Sequence, residues 1–241
     1  MRGGAKVDLM AGNVRLKRDE RDGASGVAMR PHHKKGVERR EAILDAAETV
    51  LARDGYSAAS LREISDVAAT NIGLINYYFR TKESLCLAVL ERRRSEFIFR
   101  IISSLEEARA RPDASVRSIT RAYIEPMVRM HQGRAEGWRN YVRLTARFML
   151  ATHQPEIKEA MASLEPGARF FMMALRDVIP AMTDETFYAG MYVVEATLTY
   201  MLQDPTLLDR RSLGIHSTTR LEAFLDDLTP ALAAAFSGEA A

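Results

Sequence analysis

One stretch of the chain, residues 60–79, constrains the fold more than any other, because its sequence, SLREISDVAATNIGLINYYF, indicates two short helices with a tight break between them. The apolar residues of its first half recur at the spacing of one helical face: Leu61, Ile64 and Ala68. Ser60, followed by Glu63, forms a capping-box pattern that marks the start of this helix. Asn71 is a second cap candidate, so a second helix begins after it.

The second helix has two different faces. Its apolar residues share one face: Ile72, Ile75 and Phe79. The opposite face contains Asn76 and Tyr77, which are polar or amphipathic. Helices shorter than ~12 residues are marginal alone in water, so a neighbouring helix has to cover the apolar faces of both.

Longer helices flank this stretch on both sides. Before it, apolar residues recur with helical spacing over residues 37–54, and Gly55 supplies a left-handed stop. After it, Thr81 caps a long fourth helix over residues 82–110, with Pro112 just beyond its end. We expect the buried face of this fourth helix to contain five apolar residues: Leu85, Ala88, Val89, Phe99 and Ile102.

Helical patterns also account for the chain beyond Pro112. We predict helices over residues 114–132, 137–151, 156–178 with a break near Pro166 and Gly167, 184–202, and 219–236. Strand alternation appears nowhere convincingly, so the fold class is predicted to be all-α.

Composition limits the class of protein. With 241 residues, of which 47% are hydrophobic and 27% are charged, the chain has a globular composition. No stretch approaches the ~18 consecutive apolar residues of a spanning helix, and the N-terminus lacks an apolar signal segment, so we expect a cytoplasmic protein. The single cysteine, Cys86, lies among apolar residues and is expected to be buried rather than catalytic.

Residues 1–35 differ from the rest of the chain. They are glycine-rich, lack periodicity and carry nine Lys or Arg against four Asp or Glu, so we predict a disordered basic tail. Since the net charge of the whole chain is only +2, the remainder is slightly acidic. Two interpretations of residues 30–35, RPHHKK, stay open: a solvated leader, or an arm that adds non-specific attraction to phosphates.

The run AATNIGLINYYFRTKESL resembles the signature of the TetR family of bacterial transcriptional regulators: a small residue pair, a cap, glycine, an aliphatic residue, paired aromatics, phenylalanine, then lysine and glutamate. The resemblance is close over residues 37–90, and elsewhere it concerns only helix order and length. It implies a helix-turn-helix DNA-binding domain at residues 36–82 and a helical ligand-binding and dimerisation domain at residues 83–241. An ordinary helical hairpin is the alternative.

By this resemblance, the helix after Asn71 enters the major groove of DNA. Nine residues are then predicted to contact the nucleic acid: Ser60, Thr70, Asn71, Ile72, Gly73, Leu74, Asn76, Tyr77 and Lys82. Ser60 and Lys82 would bind phosphates, and Asn76 would pair with adenine. Ile72 or Leu74 would touch thymine methyl groups, whereas Ile75, Tyr78 and Phe79 would pack inward. Glycine inside a helix costs ~1 kcal/mol relative to alanine, which close approach of the duplex at Gly73 would offset.

Aromatic and methionine side chains are concentrated in three consecutive helical segments after residue 114. On the residues alone, such stripes indicate core more often than a pocket. The TetR resemblance favours a pocket, because members of that family commonly enclose a small-molecule site within the C-terminal helices. We predict that six residues line a site for a small hydrophobic ligand: Met127, Met130, Trp138, Tyr141, Phe148 and Phe171.

Three arginines, Arg139, Arg143 and Arg147, lie four residues apart on one helix. A solvated basic stripe is the favoured interpretation. If one of them turns inward, an acidic ligand such as a carboxylate or an acyl thioester becomes attractive. The roles of His131 and His153 stay open.

Two apolar stripes in the last helices are predicted to take part in dimerisation as well as in the core. They contain Phe187, Met191, Val194, Leu198 and Met201 on one helix, and Leu221, Phe224, Leu225, Leu228 and Leu232 on the other. The TetR resemblance implies that these helices pair with their copies in a four-helix bundle, and that the two-fold dimer reads a near-palindromic operator.

Neither catalytic nor metal-binding residues stand out. The five histidines show no metal-ligand spacing, and the sequence has no nucleophile elbow and no phosphate-binding glycine loop. We therefore expect a regulator without a cofactor, a metal or enzymatic activity, located at the bacterial nucleoid through its operator. Ligand binding would shift the fourth helix and release the DNA. A DNA-binding architectural protein without a ligand, or a helical enzyme acting on an apolar substrate, stays open.

Overall fold

The computed structural model describes residues 31–203, 206–215 and 221–236. Every element of secondary structure in these ranges is a helix, which confirms the predicted all-α class. In chain order the helices are α1 (Pro31–Ala58), α2 (Leu61–Val67), α3 (Ile72–Phe79), α4 (Lys82–Arg109), α5 (Val116–Gln132), α6 (Glu136–Met149), α7 (Pro155–Ala162), α8 (Glu165–Val178), α9 (Asp184–Gln203), α10 (Thr206–Arg211) and α11 (Leu221–Ala234). None of the helices in these ranges is both long and apolar enough to cross a membrane.

Helix α1 begins earlier than predicted and is interrupted where predicted. It starts at Pro31, so residues 31–35 are helical and the predicted extent of the tail is wrong there. Proline suits this first turn, because the backbone N–H that it lacks has no partner inside a helix. Gly55, with φ 77° and ψ 177°, interrupts α1 as the sequence predicts. The rest of the predicted tail, residues 1–30, lies outside the described residues, as do the side chains of residues 31–34.

Side-chain caps fix the starts of α2, α3 and α4, as predicted. In each case the cap oxygen accepts a hydrogen bond from the backbone N–H three residues later, at Ser60 (3.1 Å), Asn71 (2.9 Å) and Thr81 (3.1 Å). Caps of this kind stabilise a helix by ~1 kcal/mol each. The capping box expected at Ser60 is formed only by its serine half, because the Glu63 carboxylate pairs with Arg53 of α1 instead.

Two residues with positive φ make the connections around α3 short. Ala69 has φ 48°, and the next residue, Thr70, donates its backbone N–H to the Ser65 carbonyl at 2.9 Å. Arg80, with φ 59°, ends α3 one residue before the Thr81 cap of α4. A small side chain suits the left-handed conformation at Ala69 better than a branched one. The orientation of α3 is therefore fixed at both of its ends.

The buried face of α4 differs in part from the prediction. Leu85 and Val89 are buried as expected, but Phe99 is 65% exposed. The buried face continues instead through Phe97, Ile101, Leu105 and Ala108. Phe97 follows Val89 by eight residues, and the others follow at steps of four, four and three. Phe99 lies almost half a turn away from Phe97.

The helices after α4 confirm the predicted order. The break between α7 and α8 falls at residues 163–164, and Pro166 lies in the first turn of α8 rather than in the break. Helix α10 was not predicted, since the predicted helices leave residues 203–218 without an element. A helix of six residues carries too little periodicity to be recognised.

Helix α6 packs against α1 more extensively than any other pair of helices in the described part of the chain. Arg147 donates from Nε to the Ala52 carbonyl at 2.8 Å, and Asn140 donates to Thr49 Oγ1 at 3.4 Å. The Phe148 and Tyr56 rings meet edge to face at 6.4 Å. The three-helix unit α1–α3 is therefore attached to the rest of the protein largely through α6.

The apolar stripes predicted on α9 and α11 form the core of the chain itself. Most of their residues are buried, among them Phe187, Val194 and Leu198 on α9 and Leu221 and Leu225 on α11. The outward face of α9 carries a different set of large side chains, which are exposed by 43% to 78%: Tyr188, Tyr192, Val193 and Tyr200. The exposed set is therefore available for contact with another molecule, whereas most of the predicted stripe is used inside the chain.

The cysteine is placed as predicted. Cys86 is buried in α4, and burial raises the pKa of its thiol to about 12. Such a thiol is a poor nucleophile at neutral pH. No group of three or more His, Cys, Asp or Glu side chains is arranged to bind a metal ion within the ranges that the structure describes.

We expect Gly190→Ala to lower the free energy of unfolding by about 1–3 kcal/mol, because an added Cβ overpacks the core. The new methyl group would lie within 3.0 Å of the Phe236 ring, which is buried and meets the Phe171 ring edge to face at 5.4 Å. Urea denaturation measures the change. The double variant Gly190→Ala, Phe236→Leu should lose less than the sum of the two single losses. Wild-type stability of Gly190→Ala would contradict this, because it would show that Ala235 and Phe236, which follow α11, move aside at no cost.

Candidate nucleic-acid interface and ligand cavity

Helix α3 has the two faces that the sequence predicts. Ile75 and Phe79 are 1% and 5% exposed and belong to the core, whereas Tyr77 is 78% exposed. Asn76 and Gly73 are also exposed. Tyr78 is half-buried, and its hydroxyl donates to the Gly36 carbonyl of α1 at 3.1 Å. The polar face of α3 is therefore exposed, while its opposite face packs in the core and bonds to α1.

The nine predicted contact residues are not equally accessible. Thr70 and Lys82 are half-buried, and the Lys82 ammonium lies 4.6 Å from the centre of the Tyr56 ring. Leu74 packs against the hydrophobic core, which corrects the prediction that its side chain faces outward. The Cβ of residue 74 lies beside those of residues 75 and 78 on a helix of 3.6 residues per turn, and so turns partly inward. Ile72, at 40% exposure, remains the aliphatic side chain on the outer face.

Two of the contact residues also cap helices. The Ser60 oxygen accepts from Glu63, and the Asn71 Oδ1 accepts from Leu74, so each oxygen is occupied. The hydroxyl hydrogen of Ser60 and the amide NH₂ of Asn71 are donors that these caps do not use. Each residue is thus able to cap its helix and donate to a phosphate at the same time.

Exposed arginines near the two short helices were missed by the sequence analysis. Arg62 lies in the first turn of α2, and Arg80 follows α3; both are exposed. Arginine is the side chain best suited to phosphate oxygens, because it presents several donors in one plane. The sequence does indicate a role in phosphate binding for Arg62 and Arg80, because both lie in or next to the predicted helix-turn-helix.

Packing within the protein constrains Gly73 at a single, tight contact. A Cβ at this position would meet one atom of the described chain within 4 Å, the Asn71 Oδ1 at 3.1 Å. The glycine is exposed and lies in the first turn of α3. The absence of a side chain therefore leaves the outer surface of α3 open to close approach.

A cavity of about 360 Å³ lies among the helices after the three-helix unit. That volume is within the usual range for small-molecule sites, ~300–1,000 Å³. Its lining includes apolar and aromatic side chains from several helices: Phe97, Ile101, Tyr123, Met127, Met149, Met161, Leu164, Leu198 and Leu202. The polar side chains that line it include Thr145, Thr199, Lys158, Glu165 and Glu195.

Of the six predicted ligand residues, only Met127 lines this cavity. Tyr141 is fully buried, and its hydroxyl donates to the Leu90 carbonyl at 2.9 Å, so it joins α6 to α4. Phe148 packs on Tyr56 in the contact between α6 and α1. Trp138 is half-buried beside the guanidinium groups of Arg93 and Arg100, at 5.4 and 5.0 Å from its ring centre.

The remaining two predicted ligand residues belong to the core. The Phe171 ring stacks on Tyr123 at 4.3 Å and is fully buried between α5 and α11, while Met130 is buried on α5. The five other predicted residues are buried or half-buried outside this cavity, and their role in ligand binding stays a prediction. Residues that the sequence analysis did not single out, such as Phe97, Ile101 and Tyr123, line the cavity instead.

The arginine stripe does not enter the cavity. Arg139 donates to the carbonyls of His131 and Gly133 at 3.3 and 3.2 Å, and Arg147 donates to Ala52. Arg143 is half-buried, and burial together with its two neighbouring arginines lowers its pKa. His131 is buried beside them, and burial, with the charges of Arg143 and Arg139, lowers its pKa to about 4. This cavity therefore presents none of the three arginines to an acidic ligand.

Two family models match the chain. The model described as "Bacterial regulatory proteins, tetR family" matches residues 43–89, and the model described as "Tetracyclin repressor-like, C-terminal domain" matches residues 121–235. The first range includes α2, α3 and their connections. The second includes most of the helices around the cavity.

Curated relatives match over shorter stretches. The HTH-type transcriptional repressor NicS of Pseudomonas putida is 38% identical over 58 residues, which are 24% of this chain and 27% of the relative. The HTH-type nicotine-responsive transcriptional repressor HdnoR of Paenarthrobacter nicotinovorans is 34% identical over 77 residues, 31% of this chain and 40% of the relative. The chain spans between 26% and 40% of the length of the curated relatives that it matches.

Solved structures match over most of the chain. The fatty acid degradation regulator FadR from Bacillus halodurans has a TM-score of 0.56 and 15% identity, covering 83% of this chain and 99% of that one. A TetR family transcription regulator from Marinobacter aquaeolei VT8 has a TM-score of 0.56 and 17% identity, covering 84% and 97%. At such identities the likeness is one of fold.

Proposed function

Since the chain belongs to the TetR family of bacterial regulatory proteins, we propose that it is a homodimeric, DNA-binding transcriptional repressor, which a small hydrophobic ligand releases from a near-palindromic operator. One observation carries the proposal: α6 packs on α1 of the helix-turn-helix unit and also lines the cavity through Thr145, Ala146 and Met149. A ligand in the cavity therefore touches the helix that positions the DNA-reading unit.

DNA recognition is assigned to residues 36–82, with α3 in the major groove. Asn76 and Ile72 face base edges from the exposed side of α3, and Asn76 has the amide geometry that pairs with adenine. Gly73 lets the backbone of α3 approach the duplex. Ser60, Thr70, Asn71, Tyr77 and Lys82 bind phosphates and sugars, together with the exposed Arg62 and Arg80. Leu74 is left out of this surface.

Dimerisation is assigned to the outward face of α9. Tyr188, Tyr192 and Tyr200 are exposed by 63%, 78% and 57%, and they lie at multiples of four residues on one helix. A stripe of large side chains of this kind marks an interaction surface more often than a solvated one. A second copy is the occupant that a near-palindromic operator requires, because the two-fold axis of the protein then coincides with that of the DNA.

Release follows from linkage between the two sites. A ligand lowers operator affinity only to the extent that it prefers the conformation that binds DNA poorly. Displacement of α6 would move α1 through the Arg147, Asn140 and Phe148 contacts, and α4 would move with it. The two recognition helices of the dimer would then no longer match the spacing of the half-sites. The protein would act in the cytoplasm, and the names of two curated relatives support repression.

The proposed roles of α3 predict different losses for two variants. Tyr77→Ala removes a phosphate contact and should weaken binding to operator and random DNA by a similar factor. Asn76→Ala removes a base contact worth ~1–3 kcal/mol, so it should weaken operator binding and leave random DNA nearly unchanged. Fluorescence anisotropy at fixed salt measures both. Equal losses of Asn76→Ala on the two DNAs would refute base reading by Asn76.

Footprinting on the DNA that flanks the gene tests the proposed function as a whole. We expect one protected, near-palindromic site with half-sites separated by about one helical turn or a multiple, ~34 Å. Tyr192→Glu should give a monomer by light scattering and lose the footprint, because it places a charge in the α9 interface. Phe99→Glu is the matched control, since Phe99 is equally an exposed aromatic residue but lies on α4. A monomeric wild-type protein with an intact footprint would contradict the proposal.

A further inference from the structure

The cavity contains one carboxylate whose charge is not compensated. Glu195 lines the cavity from α9, and its side chain is half-buried. It forms neither an ion pair nor a hydrogen bond with any of the residues that the structure describes. Burial raises its pKa, and no cation among the residues that the structure describes acts in the opposite direction. The folded protein thus carries a partly desolvated negative charge, which becomes favourable only when a positive charge reaches it.

The other charged side chains that line the cavity do not alter this. Glu165 is exposed and pairs with Arg169 at 2.8 Å. Lys158 is also exposed, and it is not among the groups that shift the pKa of Glu195. Among the described residues of the lining, Glu195 is therefore the charged side chain that is half-buried.

The rest of the lining suits a positively charged, apolar guest. Tyr123 lies near enough for the charge of Glu195 to add to the effect of burial in raising the pKa of its hydroxyl. Tyr123 and Phe97 supply aromatic rings, which attract cations and not anions. Met127, Met149 and Met161 add polarisable, adaptable side chains around the space.

We infer that this cavity takes a lipophilic cation, in which an ammonium or amidinium group pairs with Glu195 and an apolar body fills the remaining space of about 360 Å³. An anion of the same size is repelled by the carboxylate. A neutral analogue is accepted less well, because it leaves the carboxylate desolvated and unpaired. The inference rests on the proposed function, since it concerns the same cavity.

Three compounds with one skeleton and three charges test the inference on the full-length protein: 4-phenylbutylamine, 4-phenylbutan-1-ol and 4-phenylbutanoate. Calorimetric titration at pH 7 should show the amine binding about tenfold or more tightly than the other two. Glu195→Gln should lower the affinity for the amine by about the same factor and raise the affinity for the alcohol, because the neutral amide removes the cost of an unpaired carboxylate. Glu165→Gln is the matched control, because it removes an exposed carboxylate of the lining, and it should leave all three affinities unchanged.

Two results would overturn the inference while leaving the proposed function intact: the alcohol or the acid binds as tightly as the amine, or the preference for the amine survives in Glu195→Gln. If the protein binds its operator but none of the three compounds raises its melting temperature at millimolar concentration, the inference fails, while the footprint tests the proposed function separately. The wild-type comparison is decisive even if Glu195→Gln does not fold.

Discussion

The packing of α6 against α1 is the interaction on which the rest of this structure depends. Helices α2 and α3 have only seven and eight residues, so their stability comes from the helices on which they pack. Helix α2 packs on α1, and α3 packs on α2 and α4. Helix α1 is in turn positioned by α6 through the Phe148 ring and the hydrogen bonds of Arg147 and Asn140. The orientation of the predicted DNA-reading helix is thus decided outside the motif that contains it.

A buried charge cluster adds α4 to this contact. Glu48 of α1 is 2% exposed and accepts from Arg93 Nε at 3.0 Å and from Arg92 at 3.2 Å. Burial raises the pKa of Glu48, and the two arginines oppose that rise. A Cβ at Gly137 of α6 would collide with the Arg93 guanidinium, so this glycine permits the approach of α6. Because breaking one partner of a buried ion pair is costly, this cluster joins α1 firmly to α4 at the place where α6 packs against both.

The sequence was sufficient to predict the starts and ends of helices that depend on neighbouring residues in the chain. Caps at Ser60, Asn71 and Thr81 and the stop at Gly55 are formed by neighbours in the chain, so the pattern predicted the helix-turn-helix closely. The ligand cavity depends instead on how the helices rotate about their axes. Phe97 lines the cavity, whereas Phe148 and Phe171 pack against other helices. The residue type is the same in all three cases, so composition cannot distinguish them. The rotation of α4 about its axis is also not encoded in composition, which is why Phe99 was wrongly predicted to lie on its buried face.

The central claim is that α6 transmits ligand binding to the DNA-reading unit. The direct test is the ratio of operator dissociation constants with and without saturating 4-phenylbutylamine, measured for wild type, Arg147→Gln and Arg139→Gln. Arg147 bonds to α1, whereas Arg139 bonds to carbonyls of His131 and Gly133. The account predicts that the ratio, about tenfold or more in wild type and in Arg139→Gln, falls toward one in Arg147→Gln with unchanged affinity for the amine. An undiminished ratio in Arg147→Gln would contradict it.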